Sequence, residues 1–204
     1  MRTKFDEELL QLTNDLVKMA HLVETAIENT IDAFKKEDRL LAKTIIDNDR
    51  LINDMERTIE SRAFQLFLRQ QPMASDLRKV TSALKIVTDL ERIGDQGADI
   101  AEILLSIGGV HPYRTVEHIP LMAKKVKLMV REAVNAFVKQ DLQLAYIVMN
   151  MDDEVDGLFK EVKYEVVEIL KEKKKLYQFN QFKQKVLKVM KKILLNLKLK
   201  MYFL

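Results

Sequence analysis

The chain has 204 residues, with 34 basic against 31 acidic side chains for a formal charge of +3, and only five glycines, three prolines and no cysteine. That length can bury a core in one large domain or two small ones, and the missing cysteine excludes a disulfide framework, a thiolate metal site and a cysteine nucleophile. No run of 18 apolar residues exists to span a membrane, and residues 1–15 carry Asp6, Glu7, Glu8 and Asp15 in place of a leader's apolar core, so a cytoplasmic protein is expected.

Apolar residues recur at helical spacing almost throughout, which predicts an all-α fold. A first helix is expected over 3–34, burying Leu9, Leu12, Leu16, Met19, Val23, Ile27 and Ile31. A second, over 38–68, buries Leu41, Ile45, Ile52, Met55, Ile59 and Phe64. The third starts after Pro72, with Ser75 as N-cap and Asp76 in the first turn, and ends near Gly108-Gly109. Its apolar stripe is Val80, Ala83, Val87, Leu90, Ile93, Gly94, Gly97, Ala101 and Leu104. Helices of about 30 residues are about 45 Å long, and short joints between them predict an up-down-up bundle.

Along one edge of the third stripe, Glu91, Asp95 and Asp99 stand in line at i, i+4 and i+8. Aligned carboxylates repel, and an external cation would offset that. Gly94 and Gly97 each cost a helix interior about 1 kcal/mol relative to alanine, so they predict close approach of a helix or a ligand. The plainer reading is a solvated acidic face, since 32% of the residues are charged and Lys85 and Arg92 lie near in sequence.

Beyond a linker at 108–116 the chain repeats itself. AFKKEDRLLA at 33–42 aligns with AFVKQDLQLA at 136–145, an offset of 103 residues. Helices over 117–138 and 142–170 therefore restate the first two, and the expected architecture is two three-helix bundles, 1–107 and 117–204, six long helices related by a pseudo-two-fold. The offset sets Asp49 on Asp152, Ile52 on Val155 and Asn53 on Asp156. In an antiparallel hairpin Asp49 and Asn53 meet Glu91 and Asp95, and Asp152 with Asp156 forms the second-half counterpart. Such oxygen-only donors select hard ions such as magnesium, calcium, manganese or iron.

The tail departs from this pattern. Residues 173–204 hold ten of the 34 basic residues and none of the 31 acids, leaving 1–172 at −7. The offset places Leu194 opposite Glu91 and Lys198 opposite Asp95, so no second ladder is expected. The tail reads either as an amphipathic basic helix, with Val186, Leu187, Met190, Ile193, Leu194, Leu197 and Met201 in a stripe, or as the product of a reading-frame change. The abrupt composition change favours the latter.

Residues 69–102, with RQQP, DLR, ERIGD and DIAE in order, resemble the signature of the PhoU family, bacterial regulators of phosphate uptake, and 1–172 follows the family's layout. The resemblance implies two similar three-helix bundles and Glu/Asp-x-x-x-Asp motifs that bind divalent or trivalent metal ions (iron, manganese, magnesium, calcium or zinc). It also implies a non-enzymatic repressor of phosphate-starvation signalling that docks on the ATPase subunit of a phosphate ABC transporter and on a membrane sensor histidine kinase. Taken with the ladder and the repeat, these motifs give as candidate metal residues Glu91, Asp95, Asp99, Asp49, Asn53, Asp152 and Asp156. Asn53 departs from the family's preferred carboxylate. The paired bundles also suit a homodimer.

Two other classes compete. A carboxylate-bridged di-iron oxidase needs Glu-x-x-His on two helices, and no glutamate here has a histidine three residues on. A basic adaptor for membrane or nucleic acid would act through the tail, which lacks arginine and any nucleic-acid motif. His21, His111 and His118 are scattered and read as surface or loop residues. Phe34, Phe64, Met149 and Phe159 read as core.

Overall fold

Among the described residues the apolar periods wind into five helices: α1 (Arg2–Lys36), α2 (Arg39–Gln70), α3 (Ala74–Ser106), α4 (His118–Lys139) and α5 (Leu142–Glu172). The computed structural model describes residues 2–70, 74–106 and 117–172, and among these there is no strand. The expected sixth helix, the Gly108-Gly109 end of the third and the linker lie outside the described residues. No described helix is long and apolar enough to cross a membrane.

Helices α1, α2 and α3 pack on one another, and α4 packs on both α5 and α1. One core runs through all five, from Leu12, Met19 and Val23 through Ile59 and Val87 to Met122, Val126 and Val155. The repeat is visible in what is buried. Leu16 and Ile119, Met19 and Met122, Val23 and Val126, Ile45 and Val148, Ile52 and Val155, and Ile59 and Val162 are all buried, each pair 103 residues apart.

The two helical corners also coincide. Glu37 (φ 54°) and Gln140 (φ 53°) both take the left-handed conformation that ends a helix. The next residue's backbone N–H reaches back to the final turn in each case, from Asp38 to Ala33 and from Asp141 to Ala136, both at 2.9 Å. Those aspartates then cap the following helix. Asp38 Oδ1 accepts from the N–H groups of Leu40 (3.0 Å) and Leu41 (2.9 Å), and Asp141 Oδ1 from that of Leu144 (3.0 Å).

Two expectations need correction. Helix α3 begins at Ala74, so Ser75 lies inside its first turn, where Asp76 is also found, and does not precede it. Phe64 is 57% exposed, because Ile59, Ala63 and Leu66 take the inward positions of that part of α2. Phe34 is buried as expected, and Met149 and Phe159 pack partly buried against the core.

Candidate carboxylate site between α2 and α3

The site begins with two residues one turn apart on α2. Asn53 Nδ2 donates to Asp49 Oδ2 at 3.0 Å, while Ile52, between them in sequence, is buried in the core. This bond leaves Asp49 Oδ1 and Asn53 Oδ1 buried with no hydrogen-bond partner. Unsatisfied buried oxygens are costly and call for a donor or a cation.

Glycine lets α3 come this close. A Cβ on Gly94 would stand 2.7 Å from Ile52 Cδ1 and 3.6 Å from Asp49 Oδ1. One turn on, a Cβ on Gly97 would meet Thr30 Oγ1 of α1 at 3.2 Å. The two glycines thus seat α3 against α2 and α1 in turn, the close helix approach expected of them.

The ladder residues flank that contact, and their charges act on Asp49, Glu56 and Glu91. Burial, then the charge of Asp95, pushes the Asp49 carboxyl above its ordinary range, with a smaller push from Asp99. Glu91 is raised to about 7, first by burial and then by Asp95, Glu56, a hydrogen bond to Asp95, and Asp49. Near neutrality Glu91 therefore holds its proton for part of the time. Glu56 of α2 is raised by burial and by Glu60 and Asp95. Asp49, Asn53, Glu91 and Asp95 are thus brought together, with Asp99 at the exposed end.

Glu56 is a member that the sequence reading missed. It lies seven residues after Asp49, two turns along the same face, and a search extended beyond i+4 would have found it. The neutralising role considered for Arg92 is limited, since its guanidinium turns to Asp89 at 3.9 Å.

As the side chains stand, no three His, Asp or Glu groups among the described residues are placed to hold a metal ion. The donor set nonetheless fits a hard cation: carboxylate and amide oxygens only, two of them buried and unpaired, and a glutamate raised to about 7 by burial and then by its acidic neighbours.

The second half offers less. Asp152 is 3% exposed and engaged by a partner, while Asp156 is exposed. The residues that would face them, Leu194 and Lys198, lie outside the described residues. His21 is exposed, 3.8 Å from Glu24, and His118 Nδ1 lies 2.6 Å from Glu165 Oε1, a pairing the sequence did not indicate. His111 lies outside the described residues.

Comparison with known proteins bears on the family and the fold. The family model for the PhoU domain matches twice, at residues 16–104 and 119–193, and the two matches start 103 residues apart. The chain is 38% identical over 183 residues to the phosphate-specific transport system accessory protein PhoU homolog of Clostridium acetobutylicum, covering 89% of this chain and 84% of that protein. It is 36% identical to the namesake from Aquifex aeolicus, over 80% of this chain and 74% of that protein. The crystal structure of PhoU from Pseudomonas aeruginosa superposes with a TM-score of 0.86 at 29% identity, over 98% of this chain and 96% of that one.

Proposed function

The chain belongs to the PhoU family, and on that premise we propose that it is a non-enzymatic accessory protein of a phosphate-specific transport system, working in the cytoplasm as a negative regulator of phosphate uptake and phosphate-starvation signalling. Its helical faces dock on the ATPase subunit of a phosphate ABC transporter and on a membrane sensor histidine kinase, and the chain acts as a homodimer. The observation that carries this reading is the double family match at the spacing of the chain's own repeat. The same premise makes 117–204 the second unit of the repeat, in keeping with a second match over residues 119–193.

In this reading Asp49, Asn53, Glu91 and Asp95, extended by Glu56 and Asp99, hold one or more metal ions, with Asp152 and Asp156 as a reduced second-half remnant. Support comes from the unpaired buried oxygens of Asp49 and Asn53 and from the raised Glu91. A bound cation would neutralise facing acids on α2 and α3 and hold the two helices together, a structural or sensing role that involves no chemical step.

Deleting the gene tests the regulatory reading. Phosphate-starvation transcription should switch on in phosphate-rich medium and be silenced again by the wild-type gene, whereas unchanged transcription would refute it. Elemental analysis tests the metal. Wild-type protein should retain iron, manganese, zinc or a group-two ion that Glu91→Ala/Asp95→Ala loses, and equal metal content in the two would remove the site from the proposal.

A further inference from the structure

Among the described residues the two halves of the chain meet at the seam between α1 and α4, and two ion pairs cross it. Arg131 donates to the buried Glu24, with Nε at 3.0 Å, and Lys127 Nζ donates to Glu28 at 2.9 Å. As the number rises along α1 it falls along α4, so the helices run antiparallel here. The repeat offset makes Glu24 the counterpart of Lys127 and Glu28 the counterpart of Arg131. Exchanging the halves therefore turns each pair into the other, and a local two-fold passes between them. The positions are symmetric and the charges are not: both acids sit on α1 and both bases on α4.

That division has a consequence for partner choice. A duplicated unit whose two copies pair through a two-fold seam can, by the same geometry, pair with its own kind from another chain. Here an α1–α1 seam between two molecules would set Glu24 against Glu28 twice, and an α4–α4 seam would set Lys127 against Arg131 twice. Like charges at such a contact repel, whereas the unlike seam gains two charge-assisted bonds, one of them to a buried carboxylate. We propose that the charge division of Glu24/Glu28 and Lys127/Arg131 is a recognition device. It makes the α1 face accept an α4 face and reject a second α1, so that the seam closes between unlike halves and does not join molecules through like ones.

Two exchange variants of the full chain separate recognition from stability. Glu28→Lys/Lys127→Glu keeps both seam pairs opposite in sign, but it makes each face self-complementary, because Glu24 of one α1 would then meet the introduced lysine of another. Exchanging all four, with Glu24→Lys, Glu28→Lys, Lys127→Glu and Arg131→Glu, keeps the pairs and the discrimination. Each protein is refolded from urea across a range of concentrations at low salt and analysed by light scattering, with thermal midpoints recorded. Both variants should melt within a few degrees of wild type. Only the two-residue exchange should gain a larger species that grows with concentration during refolding and shrinks with added salt. Two results overturn the proposal: the same distribution of species for the two-residue exchange as for wild type, or a midpoint for the four-residue exchange far below it.

Discussion

In the α1–α2 hairpin, Arg62 Nε donates to the buried Asp15 at 3.1 Å, with Lys18 Nζ (3.0 Å) and Gln11 Nε2 (3.2 Å) closing round the same carboxylate. In the α4–α5 hairpin, 103 residues on, the same two positions are His118 and Glu165, with the acid moved to the other helix. The backbone is repeated and the charge is inverted. The first clasp carries a guanidinium that is charged at any working pH, whereas the second is ionic only while the imidazole is protonated. Glu165 Oε2 is left buried and unpaired. Positions 103 residues apart share their apolar packing and corner geometry, while the polar residues at these two positions differ.

The largest effects should ignore the difference. Met19 and Met122 are repeat partners and both 0% exposed. Each Met→Ala change should cost about 2–5 kcal/mol, and urea denaturation should give similar losses for the two. A loss below about 1 kcal/mol at either site would break the claim that the halves share one packing scheme.

The clasps should differ. Arg62→Met strands Oδ2 of the buried Asp15, while Oδ1 keeps Lys18 and Gln11, and should cost about 1–3 kcal/mol. Glu165→Met removes a more exposed pair together with an unsatisfied oxygen and should cost no more than about 1 kcal/mol. Equal losses in urea melts would mean that inverting the charge left the energetics unchanged.

The carboxylate site should show itself through pH, and in the first half alone. Glu91 has a folded pKa raised from 4.5 to about 7, so the folded state holds its proton more tightly than the unfolded one. Its neutral form is the comfortable one. Stability is therefore lost as pH rises through the window from about 4.5 to about 7, and the deficit persists above it. In chelator-treated protein the melting temperature should fall between pH 5 and pH 8. That fall should be smaller in Glu91→Gln, and a divalent ion that binds the site should offset it in wild type. An identical pH profile for wild type and Glu91→Gln would show that the acids do not interact as their placement indicates.

Much of this was legible in the sequence, because the features concerned are local or periodic. The apolar stripe of α3 is buried as the 3.6-residue period requires, and Gly94 and Gly97 mark the close approaches they predicted. The offset read from AFKKEDRLLA and AFVKQDLQLA reappears in the corners and in the core. What escaped was long-range or ambiguous. Phe64 sits where Ala63 and Leu66 compete for the inward positions, and hydropathy alone cannot say which of them wins. Glu56 falls outside the four-residue motif. The pairs Asp15–Arg62, His118–Glu165, Glu24–Arg131 and Glu28–Lys127 join residues from 47 to 107 positions apart, and no local period announces them.

The smallest effect tests the repeat at its most exact point. Glu37 and Gln140 hold positive φ at the two corners, a conformation in which a Cβ is crowded and glycine is not. Glycine there should stabilise the chain by about 0.5–1 kcal/mol, the usual return on an improved helix end. At the second corner Gln140 Nε2 also donates to the Phe137 carbonyl at 2.9 Å, and Gln140→Gly loses that bond along with the crowded Cβ. Gln140→Gly should therefore stabilise the chain, read from its urea midpoint, by less than the full return of about 1 kcal/mol. A gain of that full size would mean that the side-chain bond contributes nothing. If neither gained, the left-handed strain would already be relieved elsewhere in the turn, and the shared geometry would report only the constraint of joining two long antiparallel helices.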